Sequence, residues 1–444
     1  MAPDDRLSVD ARPTKAFFIQ NLTRDLSLED AILDLVDNSV DSLIRTRELD
    51  ISPQLLQAPE KKAPVLVDIT FTPDEFRIVD RCGGIDLEHA RRNVFRFGRT
   101  PGSYAASLGV YGIGLKRALF KIGTEISVSS QTPESGFSIH VDVLRWAEDD
   151  NDWTFPLEVT QAAGSRAEAG TTIAIRNLKP EVQMRLRDGS LLKRLEEAIA
   201  TTYALFLPRY LGISLNGVRI KPQPLPAGDS TKLPSNSRTL AIDGVTVSLV
   251  AGLQPRRNDE WAAERAGWYV LCNGRVVLTA DRTELTGWGV GGPTFVSKHR
   301  GFLGIAFFFA DEPSLLPWTT TKRGINRESA VYLQVRKEMA ILARPVLSFL
   351  NSYYPSEPAE KGPARSLIAM LEPADLGQVV ARARQDFPKA VPTRRGKRST
   401  VRVQYDAERA DIDRVKKHVG KPRLGAGAVG RLTFEYYLRV ECPE

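Results

Sequence analysis

The first long amphipathic segment of the chain, SLEDAILDLVDNSVDSLIRTREL, contains a row of polar side chains. Asp34, Asn38 and Asp41 stand at positions i, i+4 and i+7, with Asp30 one turn earlier, so they share one face of a helix. Such a row is commonly a solvated helix face. An amide beside carboxylates can also hold Mg²⁺ through oxygen, while water and phosphate fill the remaining octahedral positions.

An aspartate lies where a strand-like run ends in a glycine turn. Asp80 is the last residue of FRIVD and is followed by Arg81-Cys82-Gly83-Gly84-Ile85. A carboxylate at the end of a buried strand can accept a hydrogen bond from the amino group of a nucleobase. Considered alone, the feature is equally typical of an ordinary strand-end turn.

A glycine-rich loop precedes a predicted helix further along the chain. Gly109, Gly112 and Gly114 are followed by Lys116 in GVYGIGLK. Unpaired backbone amides, a helix N-terminus and a lysine then converge on one place, and polyphosphate suits them as a ligand. The spacing is neither a Walker A loop nor a dinucleotide-binding fingerprint, and a lone glycine loop is often only a mobile connection.

The segments around these residues predict an α+β sandwich. The first helix begins with a capping-box-like Ser27 and Asp30 and carries an apolar stripe on its other face. It is followed by a hairpin (PVLVDITFT and FRIVD), helices (IDLEHARRNVFRF and LKRALFKIG) and strands (TEISVSSQT, GFSIHVDVLRW and GTTIAIRNL). These elements place the polar row, the aspartate and the glycine loop in one domain.

We predict four segments along the chain. Residues 1–182 form the first domain, and residues 183–355 form a second α+β domain that closes with the helix ESAVYLQVRKEMAILARPVLSFLNSYY. Residues 356–398 form a linker with a helix and the basic run RRGKR, and residues 399–444 form a small C-terminal module.

Composition restricts the class of protein. The chain has 444 residues, of which 42% are hydrophobic and 26% charged, which suffices for a full core. No apolar run approaches the roughly 18 residues of a membrane span, and the amino terminus lacks the apolar stretch of a signal peptide, so a cytoplasmic protein is expected. Three separated cysteines predict reduced thiols, and four scattered histidines lack metal-ligand spacing. The net charge of +7 favours encounters with nucleic acid.

Taken together and in this order, the motifs resemble the GHKL ATPase superfamily of gyrase B, heat-shock chaperones, histidine kinases and MutL. DLVDNSVD matches its N box, VDRCGGI its first glycine box, GVYGIGLK its second and the Gly170-Thr171-Thr172 turn its third. The resemblance implies a Bergerat-type α/β sandwich that binds ATP and Mg²⁺. It also implies a role for each matching residue: Asn38 as Mg²⁺ ligand, Asp80 as adenine reader, Gly84 beneath the base, Gly109, Gly112, Gly114 and Lys116 on phosphates, Thr171 near the adenine, with Asp41 and Arg99 as further nucleotide-binding candidates.

Two positions depart from the pattern of the superfamily. Members that hydrolyse ATP usually carry glutamate four residues before the asparagine, to orient the attacking water, whereas this chain has Asp34. A carboxylate that is one methylene shorter can still act as a base, but its displacement predicts slow hydrolysis. Cys82 stands where a glycine is typical, and Gly83 can provide the turn instead.

The second domain also carries a resemblance. In LPWTTTKRGIN, Lys322 resembles the transducer-domain lysine that reaches the terminal phosphate in gyrase B, MutL and MORC proteins, and ISLNGVRI is similar to the element with which such domains begin. The alternative is a surface lysine. We therefore assign Asp34 and Lys322 as catalytic residues and favour the MORC/MutL/gyrase-B layout.

The sequence leaves rival functions open. The leading hypothesis is a slow, ATP-gated switch that forms a homodimer and acts on DNA in DNA metabolism or defence. The alternative is an ATP-sensing scaffold with negligible hydrolysis that recruits a protein effector. A histidine kinase is disfavoured, because too few residues precede the N box for a phosphoacceptor helical hairpin.

Overall fold

The computed structural model describes residues 12–58, 65–98, 107–110, 112–207, 209–258, 260–290, 292–353, 363–388 and 403–442. The chain divides into two compact units, residues 1–391 and residues 392–444. The predicted nucleotide-binding residue Arg99 and the basic run at 394–398 lie outside the described residues.

Helices occur in both units of the chain. In order they are α1 (Lys15–Arg24), α2 (Leu28–Arg47), α3 (Leu87–His89, continued by a π-helical turn at Ala90–Val94), α4 (Gly114–Ile122), α5 (Val143–Trp146), α6 (Pro180–Arg187), α7 (Gly189–Thr202), α8 (Ala330–Tyr353), α9 (Pro363–Ile368), α10 (Leu376–Arg382), α11 (Arg409–His418) and α12 (Ala426–Glu441). Short 3-10 turns lie at Pro53–Gln57, Ala263–Arg265, Glu284–Thr286, Ser297–His299 and Pro313–Leu315. In the described part of the chain, no helix is both long and apolar enough to cross a membrane.

The strands form two main sheets and one short ladder, all in the first unit. The first sheet has the order β5 (Leu157–Thr160), β4 (Gly136–Asp142), β3 (Gly123–Gln131), β6 (Gly170–Leu178), β2 (Glu75–Asp80), β1 (Val65–Phe71), β7 (Leu211–Leu215) and β8 (Val218–Arg219). The second has the order β10 (Asn236–Ile242), β11 (Val245–Leu253), β14 (Phe302–Phe309), β12 (Gly267–Cys272) and β13 (Arg275–Asp281), and the ladder joins β9 (Gly228–Asp229) to β15 (Glu372–Pro373). The α+β fold class predicted from the sequence is confirmed.

The helix that carries the polar row begins and ends with capping interactions. Ser27 accepts a hydrogen bond from the backbone N–H of Asp30, and Glu48 ends α2 in the left-handed conformation with φ of 49°. The apolar stripe of α2 is fully buried. The predicted long amphipathic helix is therefore confirmed, and its burial fixes which face points away from the core.

The register of the first sheet places two predicted site residues side by side. The hairpin of β1 and β2 pairs Val67 with Asp80, and β2 is in turn antiparallel to β6, where Asp80 is paired with Thr171. Both residues lie at one end of their strands. The sheet thus supplies a carboxylate and a hydroxyl to the same edge of the site.

One strand lies in a different sheet from the one predicted. ISLNGVRI was expected to open the second domain, but β7 pairs in parallel with β1 and completes the first sheet. Leu211, Ile213 and Leu215 are buried, and β7 supplies hydrogen-bond partners to the outer side of β1. The domain boundary at residue 182 remains a prediction, and this strand falls on its far side.

The second sheet carries the loop that contains Lys322. Its β12–β13 hairpin turns at Asn273 and Gly274, both with positive φ, which is the conformation that a two-residue Asn-Gly turn requires. The predicted closing helix is confirmed as α8, which packs against β11 and β14. The chain between β14 and α8 forms the Thr319–Gly324 turn, where Lys322 has φ of 55°.

The second unit consists mainly of α11 and α12. The segment GRLTFEYYLRVE lies in α12, and Val429 is its buried residue. Cys442 at its end is exposed, whereas Cys82 and Cys272 in the first unit are buried, and all are free thiols as expected.

Candidate functional site

A cavity of about 410 Å³ lies beside α2 in the first unit and collects residues from distant parts of the chain. Most of the residues predicted for the site line this cavity: Asp34, Asn38, Asp41, Asp80, Gly109, Gly112, Gly114, Lys116, Thr171 and Lys322. These residues come from α2, β2, β6, the glycine loop and the loop beside the second sheet. Ligand sites in proteins are typically concave and combine a few polar groups with apolar walls, as this cavity does.

One end of the cavity combines a buried carboxylate with apolar walls. The Asp80 carboxylate accepts hydrogen bonds from Ser39 Oγ at 3.1 Å and from the Cys82 N–H at 2.9 Å. Burial raises the pKa of Asp80 above its ordinary value, although these hydrogen bonds oppose the shift. Ile78 and Ile173 contribute apolar surface nearby. This end suits a flat ring with an amino group.

The hydroxyl of Thr171 belongs to the same end of the cavity. Thr171 Oγ1 lies 2.9 Å from Ser130 Oγ, which itself donates to the carbonyl oxygen of Gly170 and accepts from the Ile85 N–H at 2.8 Å. These bonds fix the third glycine box against the turn that follows β2.

Gly84 occupies a different place from the one expected. It was predicted to lie beneath the base, but it is not one of the residues that line the cavity. Its φ is +72°, and an added Cβ would lie 2.1 Å from the carbonyl oxygen of Gln131. Its own carbonyl accepts hydrogen bonds from Ser42 Oγ at 3.1 Å and Arg45 Nη2 at 2.9 Å. Glycine is thus required here for packing, and Gly83, with φ of 101°, supplies the turn that Cys82 interrupts.

Asn38 has an oxygen available toward the cavity. Its Nδ2 donates to the carbonyl oxygen of Asp34 at 2.8 Å within α2, and none of the described residues donates a hydrogen bond to its Oδ1. An amide oxygen of this kind is a suitable Mg²⁺ ligand when phosphate and water complete the shell. The residues present therefore fit a magnesium ion bound together with a nucleotide.

Asp34 is engaged by an arginine that sequence reasoning missed. Arg117 Nε donates to Asp34 Oδ2 at 2.6 Å, and the two side chains are 7% and 2% exposed. Arg117 Nη2 donates further to the carbonyl oxygen of Thr320 at 3.1 Å. The Asp34 side chain, which projects from α2, also approaches the first residue of α4. A Cβ added to Gly114 would lie 3.5 Å from the carboxyl carbon of Asp34. The only signal in the sequence was the position of Arg117 directly after the second glycine box.

Asp41 holds the glycine loop. Its two carboxylate oxygens accept hydrogen bonds from the backbone N–H groups of Leu108 at 2.6 Å and Gly109 at 2.8 Å. Burial raises the pKa of Asp41 to about 6 in spite of these bonds. Asp41 thus anchors the beginning of the loop that was predicted to surround phosphate.

Lys116 is buried behind the same loop. Its Nζ donates to the carbonyl oxygens of Val94, at 2.8 Å, and of Gly112. Burial lowers the pKa of this lysine to about 7. The ammonium group therefore ties the two sides of the loop together in the ligand-free chain.

Lys322 joins a buried ion cluster on the flank of α2. Its Nζ lies 2.7 Å from Asp37 Oδ2, while Asp37 Oδ1 accepts from Arg275 Nε at 3.0 Å and from the Tyr203 hydroxyl at 2.7 Å. Arg275 Nη1 also donates to the carbonyl oxygen of Lys322 at 2.5 Å. Since Lys322 is only 6% exposed, the surface-lysine alternative is excluded. Asp37, Tyr203 and Arg275 were not predicted.

A comparison with known families gives the class of the part of the chain that supplies most of this cavity. Residues 26–169 match the model of the histidine kinase-, DNA gyrase B- and HSP90-like ATPases. Residues 26–169 are therefore a GHKL ATPase domain, as the resemblance predicted, and membership in this superfamily supports ATP binding. The match spans the N box and the first two glycine boxes and ends directly before the third. No curated protein matches the chain.

Proposed function

We propose that this chain is a slow ATPase that works as an ATP-gated switch. The observation that carries the proposal is the single cavity in which Asn38, Asp80, Thr171 and the glycine loop meet Lys322 from the second sheet. The GHKL match contains Asn38, Asp80 and the glycine loop, and it ends two residues before Thr171. The lysine adds a direct physical link from the nucleotide site to a second part of the fold.

The residues divide between the two ends of the nucleotide. Asp80 and Thr171 bind the adenine, and the amides of Gly109, Gly112 and Gly114 surround the phosphates at the start of α4. Asn38 Oδ1 would hold Mg²⁺, which would neutralise phosphate charge.

Asp34 is the base in the proposed hydrolysis. Its carboxylate takes a proton from a water molecule while the water oxygen bonds to the γ-phosphorus and the bond to the oxygen of ADP breaks. Two features support a low rate. The side chain is one methylene shorter than glutamate, and its Oδ2 is held by Arg117 at 2.6 Å.

The same ion pair favours a second candidate function. A carboxylate oxygen that is already occupied by a buried guanidinium is poorly placed to contact an attacking water, so the site can bind ATP without appreciable turnover. In that case the chain is an ATP-sensing module that recruits a protein effector.

Dimerisation and DNA binding are further parts of the proposal. The order of a GHKL domain followed by a second α+β region supports a MORC/MutL/gyrase-B-like layout, in which ATP closes a homodimer. The net charge of +7 supports DNA as the partner of such a clamp. Light scattering tests this part directly: an increase in mass with ATP supports the clamp, and an ATP-bound monomer contradicts it.

The first experiment measures ATP binding and phosphate release for the wild type, Asp34→Ala and Asn38→Ala, with and without DNA. We expect Asp34→Ala to bind ATP and lose about 100-fold in phosphate release, because it lacks the base. We expect Asn38→Ala to lose the Mg²⁺-dependent part of binding. Asp74→Ala, in the exposed β1–β2 turn, is the matched control.

The outcomes separate the two candidates. Binding with release that depends on Asp34 supports the ATPase, and stimulation by DNA supports the clamp. Binding without release from the wild type supports the ATP sensor. A wild type that binds no ATP contradicts both.

A further inference from the structure

The helix α2 sets a direction for the nucleotide. Ser39 contacts Asp80 at the end assigned to the adenine, and Asp34 lies five residues nearer the start of α2. At about 1.5 Å of rise per residue, the two positions are separated by roughly 7.5 Å along the helix. The phosphate tail therefore runs toward Asp34, and the terminal phosphate lies at its end.

A carboxylate at this position repels the negative charge of a triphosphate. Asp34 is 2% exposed, so water screens its charge poorly, and a phosphate oxygen placed nearby would be repelled. Arg117 is the cation that neutralises it, through the 2.6 Å contact between Nε and Oδ2. Arg117 also lines the cavity.

Arg117 has a second attachment in the loop of the second sheet. Its Nη2 donates to the carbonyl oxygen of Thr320, two residues before Lys322. The far side of that loop is held by Arg275, which donates to the carbonyl oxygen of Lys322. One guanidinium thus connects the proposed base with the loop that carries the proposed phosphate-contacting lysine.

We propose that Arg117 reads the terminal phosphate and makes the site select triphosphate over diphosphate. In the free chain its guanidinium is shared between Asp34 and Thr320. The γ-phosphate attracts it more strongly, because a guanidinium binds phosphate oxygens with two parallel charge-assisted hydrogen bonds. The exchange frees Asp34 Oδ2 and releases the Thr320 carbonyl. This inference rests on the proposed ATP site and adds a specificity-determining residue to it.

Binding measurements with a non-hydrolysable ATP analogue and with ADP test the selection. In Arg117→Gln, we expect affinity for the analogue to fall by about tenfold to 100-fold relative to ADP, since only the triphosphate reaches the guanidinium. Arg117→Lys keeps the charge without the fork and should recover part of the preference. An unchanged ratio of the two affinities in both variants overturns the proposal.

The partner carboxylate provides a test in the opposite direction. Asp34→Asn leaves Arg117 without its anionic partner, so the analogue should bind more tightly than to the wild type, while ADP binds about equally and phosphate release is lost. A weaker preference for the analogue in Asp34→Asn contradicts the exchange.

Loop mobility gives a readout that affinity alone does not provide. Hydrogen exchange at the Lys322 amide, which is bonded to the Thr319 carbonyl, should rise when the analogue binds to the wild type and be raised in Arg117→Gln without nucleotide. If the exchange rate of the Lys322 amide changes neither with nucleotide nor with Arg117→Gln, the proposed link between Arg117 and the loop is contradicted.

The control is Arg185 in α6, which pairs with the same helix α2 but lies away from the cavity. Arg185 Nη2 is 2.6 Å from Glu29 Oε1 at the start of α2, so Arg185→Gln removes an ion pair of similar length. This substitution should leave the ratio of the affinities for the ATP analogue and for ADP unchanged. If the wild type binds neither nucleotide, the proposed function fails, whereas a wild type that binds both and an Arg117→Gln variant with the same ratio defeats this inference alone.

Discussion

Lys116 illustrates how burial sets the charge of a single residue. Its ammonium group is surrounded by the carbonyl oxygens of Val94 and Gly112, and burial lowers its pKa to about 7. A carbonyl dipole stabilises a cation less than a phosphate anion does. Near neutral pH the residue is therefore divided between its charged and neutral forms until an anion arrives.

We expect ATP binding to be accompanied by proton uptake. A phosphate group near Lys116 raises the pKa of the lysine from about 7, so at pH 8 the mostly neutral amine gains nearly one proton. Calorimetric titrations in two buffers with different ionisation enthalpies measure this number directly. Lys116→Gln, which has no titrating group, should abolish the uptake, and an uptake that persists in this variant assigns the proton to another residue.

At the scale of elements, α2 and its neighbours were the most predictable part of the molecule. Local signals sufficed for them: the Ser27 cap, the apolar stripe and the glycine spacing all depend on residues close in sequence. The partners that hold the site could not be predicted in this way. Arg117 lies 83 residues from Asp34, and Arg275 and Lys322 lie 238 and 285 residues from Asp37. Only the assembled fold brings them together.

The turn after β2 yields a prediction about glycine. Gly84 and Gly98 both have positive φ, but an added Cβ meets the Gln131 carbonyl at Gly84, whereas at Gly98 it has no neighbour within 4 Å among the described residues. We expect Gly98→Ala to cost about 1 kcal/mol in the free energy of unfolding, from backbone strain alone. Gly84→Ala should cost about 1–3 kcal/mol more, because the backbone must shift. Urea denaturation of both variants measures the difference, and equal costs would mean that the Gln131 contact relaxes freely.

At the scale of the whole first unit, the Asp37 cluster joins helix α2 to the second sheet. Burial alone would raise the pKa of Asp37, but Arg275 and Lys322 hold it below the ordinary value of 3.8. The stability that these contacts provide is therefore present above pH 4 and is lost as the pH falls through the lowered pKa. The cluster connects α2 of the GHKL domain with β13 and the Thr319–Gly324 loop.

Loss of the Asp37 charge should destabilise the unit strongly. Asp37→Asn leaves Arg275 and Lys322 buried without their anion, and we expect a loss of about 3–5 kcal/mol in the free energy of unfolding at pH 7. Glu88→Gln removes an exposed carboxylate that pairs with Arg91 and should cost less than about 1 kcal/mol. Denaturant midpoints at pH 7 compare the two. A small cost for Asp37→Asn would indicate that the pair contributes little beyond its own desolvation.

The pairing of β7 with β1 also has a consequence for how the protein is made. While the chain emerges from the ribosome, β1 and β2 are synthesised long before residues 211–215, so the outer backbone of β1 has no partner during that interval. An open edge of this kind recruits strands from other chains. A fragment that stops at residue 182 retains all four boxes but leaves this edge uncovered, so we expect it to aggregate more readily than a fragment that extends through residue 215.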